Sequence, residues 1–159
     1  MSRNINAYLS GGMEYAESEG AGWRADLHQW IEDRLGHHVF NPNEKSEEFL
    51  STYYPGIDFR QLKRENIERF RDIVQNIVDF DCREIAQRSD YVVCFWDESA
   101  QRGAGTKGEL TIAKYFGKPV YLVTAMNPAE IPGWVIGCTM RIFHSFHELK
   151  AFLYERYKQ

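Results

Sequence analysis

The chain has 159 residues, 43% hydrophobic and 26% charged, which suits one soluble globular domain with a proper core. A formal charge of −4 argues against general binding to a nucleic acid polymer or an anionic membrane, and no apolar run reaches the length of a membrane span. Cys82, Cys94 and Cys138 are scattered, odd in number and without metal-ligand spacing, as expected of free thiols in a reducing cytoplasm.

The start, Met1-Ser2-Arg3-Asn4-Ile5-Asn6, enters a strand over 5–10 almost at once and reads as carrying no signal peptide. Gly11-Gly12 ends that strand. A helix is predicted over 22–35, because Trp23, Leu27, Trp30, Ile31 and Leu35 recur at spacings of three and four, and Gly36 stops it. His38-Val39-Phe40 reads as a short strand halted by Asn41-Pro42-Asn43. The polar stretch 44–60 reads as a loop or lid, followed by helices over 59–74 and 79–88. Apolar residues 91–96 form a third strand, 106–116 a helix, and 119–124 a fourth strand. Asn127-Pro128 and Pro132-Gly133-Trp134 mark an irregular stretch before a fifth strand over 140–143. Ser145-x-x-Glu148 caps a last helix ending near 157. Strands alternating with helices imply a flavodoxin-like, doubly wound parallel sheet of five strands with helices on both faces. The loops after strands one, three and four then converge on one pocket.

Gly103-Ala104-Gly105-Thr106-Lys107-Gly108-Glu109 lies at one of those corners. Glycines let a ligand approach the backbone, and a carboxylate in the first helical turn is held ionised by the helix dipole. The same residues fit a capping box, with Thr106 as N-cap and Glu109 three positions on. Gly108 inside that turn costs roughly 1 kcal/mol against alanine, which a cap alone does not require. A second acidic cluster, Asp79-Phe80-Asp81, precedes the third strand. Asp79 suits a helix cap, Asp90 a turn, and Asp81 either a surface carboxylate or the partner of Glu109 in cleaving a glycosidic bond.

One ordered set carries a resemblance: Tyr8-Leu9-Ser10-Gly11-Gly12, then Asp81-x-x-x-Ile85-x-x-x-Ser89-Asp90, then Gly105-Thr106-x-x-Glu109 running through Ala113 to Gly117-Lys118-Pro119-Val120. It resembles the nucleoside 2-deoxyribosyltransferases and their relatives, the nucleotide N-glycosidases. The insertion at about 44–77 has no ready counterpart. The resemblance implies the flavodoxin-like fold, Glu109 as the nucleophile at the sugar C1′, Asp81 as proton donor to the leaving base, and Tyr8 as the group that orients Glu109. Ser10, Gly11, Gly12, Gly103, Gly105 and Thr106 would line the sugar site. It implies no metal and no organic cofactor; His37-His38 and His144-x-x-His147 lack a consistent acidic partner.

Departures from the family pattern bear on the substrate. Met13-Glu14 and Arg102-Gly103 stand where relatives acting on monophosphates carry an arginine or serine. Glu14, Glu17 and Glu19 make the first loop hostile to phosphate, and Arg102 is the one residue suited to gripping it. The tail 154–159 does not clearly match the polar residue that transferases of the family lend to a neighbouring subunit; Asn127 is a candidate substitute or a turn residue. Trp96, Tyr53, Tyr54 and Trp134 suit either base stacking or packing, Trp96 foremost because it ends a strand beside the pocket. The expected partners are a nucleoside or nucleotide, an acceptor nucleobase for a transferase, and a second copy of the chain in at least a homodimer. A nucleoside 5′-monophosphate hydrolase and a non-catalytic nucleotide sensor are the alternatives.

Overall fold

A computed structural model describes residues 4–158. The expectations that rest on residues 1–3 and on Gln159 fall outside them. Strands β1 (Asn6–Gly11), β2 (His38–Phe40), β3 (Tyr91–Phe95), β4 (Val120–Val123) and β5 (Arg141–Phe143) pair in one parallel sheet of order β2-β1-β3-β4-β5. Ser10 lies opposite Cys94, and Cys94 opposite Leu122, which aligns the carboxyl ends of the three middle strands.

Alternation along each strand divides the core in two. Tyr8, Val92, Cys94, Trp96 and Leu122 face one side. They pack with Leu110 and Ala113 of α6 (Gly105–Tyr115), Val135 and Cys138 of α7 (Gly133–Cys138), and Ile85. Ala7, Leu9, Val93 and Val123 face the other side. There they meet Leu27 and Ile31 of α1 (Ala21–Leu35) and Leu149 and Leu153 of α8 (Phe146–Tyr157). Strands covered on both faces must be apolar nearly throughout, as β3 and β4 are. Gly36 closes α1 in the left-handed region at φ 66°. The Ser145 hydroxyl accepts from Glu148 N as expected.

The 44–60 stretch is helical rather than a loop except at 54–58, which join two helices. Asn41 and Pro42 do not merely break β2. The Asn41 side chain accepts from Asn43 N at 3.1 Å, and Pro42 occupies the first helical position of α2 (Pro42–Tyr53). Helix α3 (Phe59–Glu65) is capped by Asp58, and α4 (Ile67–Arg83) by Asn66. Asp79 therefore lies well inside α4 and caps nothing. Asp81 sits near the end of α4, not near a helix start, and a π-helical turn at Glu84–Arg88 leads on to β3. Asp90 accepts from the backbone N–H of Asn6, tying β3 to β1.

Candidate active site

The corner after β3 holds a short helix that the sequence pattern did not suggest, α5 (Glu98–Arg102), capped by Asp97. Helix α6 then starts at Gly105, with Ala104 at its N-cap and no side chain bonded there. The capping box on Thr106 is thus not formed: Thr106 is buried inside the first turn, and Glu109 lies beyond that turn. Its carboxyl group instead reaches back to the end of β1.

Ser10, fully buried, donates its hydroxyl to Glu109 Oε1 at 3.3 Å. Tyr8, also fully buried, presents its hydroxyl to the same carboxyl group. Tyr8 Oη and Glu109 Oε2 are close enough to shift each other's titration, yet neither has a hydrogen-bond partner of good geometry. The pair is arranged to bond once a small movement aligns it. Glu109 is half-buried as a residue, but its Oε2 is cut off from solvent. Burial raises its pKa to about 7, against the lowering influence of Tyr8, Arg24 and Ser10. The expectation that the helix dipole keeps this group strongly ionised is therefore overturned: desolvation outweighs it. Asp81 is pushed further, to about 8, by burial and then by the charge of Glu109.

Glu109 and Asp81 border one cavity of about 1030 Å³, together with Gly11, Gly12, Gly103, Gly105 and Thr106. Tyr8 and Ser10 do not line it; both are buried behind Glu109, which Ser10 bonds. A Cβ at Gly105 or Gly108 would meet nothing within 4 Å, so these glycines leave open space at the wall. Gly12 has a different reason to be glycine: a Cβ there would stand 1.9 Å from Ser99 Oγ. The far wall comes from the 44–77 insertion and the rest of α4. Phe70, Val74, Ile77 and Val78 line it, and this apolar stripe runs at helical spacing straight to Asp81. That spacing was a usable signal for both the wall and the carboxylate.

Three expected pocket residues stand elsewhere. Trp96 is wholly buried in the sheet core, because the alternation that turns Val92 and Cys94 inward turns it inward too. Asn127 is exposed and caps a 3₁₀ turn by accepting from Ala129 N at 3.0 Å. Arg102 lies over the Tyr15 ring at 4.1 Å and borders a separate 450 Å³ depression rather than the cavity. Tyr54 lines the cavity, whereas Tyr53 and Trp134 are exposed away from it. Among the described residues no group of three or more His, Cys, Asp and Glu side chains could hold a metal ion.

The residue that sequence reasoning missed is Arg24. It is completely buried and lies with Leu27 and Ile31 on the inner side of α1. A cation at that spacing within an apolar stripe was the available signal.

No protein-family model and no curated protein matches the sequence. Solved structures do. The 2-deoxyribosyltransferase of the psychrotolerant bacterium Bacillus psychrosaccharolyticus is similar over 92% of this chain and 90% of its own, with a TM-score of 0.60 and 19% identity. The CMP N-glycosidase of Clostridium botulinum is similar over 93% of this chain and 96% of its own, with a TM-score of 0.53 and 17% identity. The chain thus shares its flavodoxin-like fold, along nearly its whole length, with two structures of such enzymes.

Proposed function

We propose that this protein is an enzyme that cleaves the N-glycosidic bond of a nucleoside lacking a 5′-phosphate and passes the sugar to a nucleobase or to water. The reading rests on one observation. Two carboxyl groups, Glu109 bonded by Ser10 and Asp81 at the end of α4, border the same cavity, and burial pushes the pKa of both upward. Burial and mutual repulsion keep the two from ionising together near neutrality, so one carboxylate and one carboxylic acid coexist, which is the division of labour that the chemistry needs.

An ionised Glu109 oxygen attacks C1′ as the C1′–N bond breaks. The bonding electron pair leaves on the base nitrogen, which takes the proton of Asp81. Positive charge developing on the sugar is stabilised by the same carboxylate. The glycosyl ester is then opened by water or by an acceptor base. The attacking atom bonds to C1′, its proton returns to Asp81, and Glu109 is released as carboxylate. Ser10 and Tyr8 hold the attacking oxygens in place, and no metal or organic cofactor takes part.

The charge of the cavity supports a substrate without phosphate. Glu14, Glu19, Glu47 and Asp58 line it in addition to the two catalytic candidates. Its one cation among the described residues is Arg60, already bound by Glu19 through contacts of 3.0 and 2.6 Å. Arg102, the expected support for a monophosphate, does not border the cavity. We read residues 1–159 as one domain whose 44–77 segment walls the site. Tyr115, Phe116, Trp134 and Met140 are exposed apolar groups and support assembly into a homo-oligomer, which sedimentation tests. Free thiols at Cys82, Cys94 and Cys138 support a cytoplasmic setting.

Chromatographic detection of free base tests the proposal. Ribo- and deoxyribonucleosides and their monophosphates are incubated with wild type and with Glu109→Ala, with and without an acceptor base. Base release that disappears in the variant and weakens with a 5′-phosphate supports the reading. Dependence on the acceptor marks a transferase. Undiminished turnover by a folded Glu109→Ala sinks it.

A further inference from the structure

Arg24 has no place in the chemistry above, yet its surroundings are unusual. A fully buried guanidinium is ordinarily matched by a carboxylate. Here, among the described contacts, it bonds to backbone carbonyls instead. Nε donates to Leu9 O at 3.4 Å, and Nη2 to Gly11 O at 2.8 Å. Nη1 is shared between Gly12 O at 3.4 Å, Glu19 O at 3.3 Å and Gly20 O at 3.1 Å. The Trp23 ring lies alongside at 4.7 Å.

These acceptors belong to two segments that must stay together. Leu9 and Gly11 are the end of β1 and Gly12 follows it, beside Ser10 and its bond to Glu109. Glu19 and Gly20 belong to a left-handed turn in which Ser18, Glu19 and Gly20 have φ of 49°, 57° and 71°. Such φ values are strained at non-glycine residues such as Ser18 and Glu19, so the turn needs outside support. Gly20 is required for the closeness: a Cβ there would stand 2.4 Å from Gly12 O and 2.7 Å from Arg24 Nη1. Glu19 also accepts from Asn43 Nδ2 at 2.8 Å through its carbonyl and binds Arg60 through its carboxylate. The turn is therefore held from within by Arg24 and from outside by α2 and α3, and Gly11, Gly12, Ser18 and Glu19 all line the cavity.

We propose that Arg24 is a positioning residue for the reaction proposed above: it fixes the loop after β1 as a cavity wall and supplies the counter-charge beneath Glu109. The titratable groups that act with Glu109 are Tyr8 from β1, Cys94 from β3, and Asp81 and Cys82 from α4, and Arg24 alone among them is cationic. Its charge lowers the pKa of both Glu109 and Asp81 against the push of burial. Carbonyl dipoles solvate the guanidinium without neutralising it, so its field still reaches the carboxyl groups.

The test compares Arg24→Met with Arg24→Lys, each checked for folding by circular dichroism. Carbon-13 NMR titration of the Glu109 carboxyl is read independently of activity, and kcat and KM for base release are followed against pH. In Arg24→Met the Glu109 midpoint rises by about one pH unit or more, and turnover on the acid side falls about tenfold for each unit. In Arg24→Lys the charge remains but one ammonium does not span five carbonyls. Its midpoint stays with the wild type while KM rises severalfold. A wild-type midpoint in folded Arg24→Met overturns the proposal. If the methionine variant does not fold, the lysine variant decides: a shifted midpoint or an unchanged KM overturns it. Glu109→Gln run alongside separates the two ideas, because full turnover there refutes the reaction while the carboxyl titration still judges Arg24.

Discussion

Replacing Glu109 by Gln should make the protein more stable at alkaline pH, and by an amount that varies with pH. Folding raises this carboxyl from 4.5 to about 7, chiefly by burial. A group whose pKa is higher in the folded state favours folding fully below its unfolded value, and that contribution is lost as pH rises through the folded value. The window is therefore 4.5 to about 7, with stability falling as the folded protein is forced to hold a buried carboxylate. At 1.36 kcal/mol per pH unit the loss amounts to at most about 3 kcal/mol, since the cavity side of the residue admits water. Glutamine keeps the shape and the acceptor for Ser10, so it removes the penalty without opening a void. Urea unfolding of both proteins at pH 5, 6, 7 and 8 gives the difference directly. The expected gap widens by about 2–3 kcal/mol from pH 5 to pH 8 in favour of Glu109→Gln. Asp81 keeps its burial-driven window in both proteins, and the part of its shift that comes from the charge of Glu109 is lost in the variant, which widens the gap in the same direction. A gap that stays constant across the range would refute the claim that Glu109 is a strained, buried base.

Activity should follow a narrow bell, rising as Glu109 ionises near 7 and falling as Asp81 loses its proton near 8; Asp81→Asn should flatten the alkaline limb and cut kcat by about 10²–10⁴-fold in a pH–rate series. Tyr8→Phe should move the acid limb to higher pH with little change in KM, because the Tyr8 hydroxyl favours the ionised form of Glu109. Gly108→Ala should stabilise the fold by roughly 1 kcal/mol in thermal melts, as expected of a helical glycine with open space at its Cβ. Gly108→Leu should instead raise KM severalfold, because its side chain would occupy the cavity wall.

The sheet was legible because its signals are local. Glycine and proline bounded the runs of β1, β2 and β4, an unbroken apolar run marked β3, and the spacing of Trp23, Leu27 and Ile31 marked α1. The 44–60 stretch misled because it lacks an apolar face of its own; its helix is started by Asn41 and Pro42 and tied down by the bond from Asn43 Nδ2 to Glu19 O. Trp96 was misread for a different reason. Period-two alternation with Val92 and Cys94 already directed it into the core, whereas its position at a strand end suggested the pocket. Arg102 and Asn127 were placed by proximity in sequence to the converging loops. The loops after β1 and β3 do converge, but the loop after β4 does not border the cavity: its Met126 lines the separate depression, α5 turns Arg102 onto Tyr15, and the 3₁₀ turn uses up the Asn127 side chain.

Which residues meet was easier to read than what their protons do. The ordered set of Tyr8, Ser10, Asp81 and Glu109 comes together around one carboxyl group, although Ser10 and Glu109 are 99 positions apart. The charge state of Glu109 was misjudged because a helix-dipole argument considers only its own helix. That helix begins at Gly105, Glu109 lies past the first turn, and the dipole fades within that distance. Three nonlocal facts govern the proton instead: burial against β1, the hydroxyls of Tyr8 and Ser10, and a cation on α1 that touches no carboxylate among the described contacts. A nucleophile held strongly ionised in water would be solvated and weak. One held near 7 in a half-dry cavity is available at neutral pH and remains reactive. The same burial that weakens the fold at alkaline pH is thus what equips Glu109 for attack, and any substitution that relieves it should exchange activity for stability.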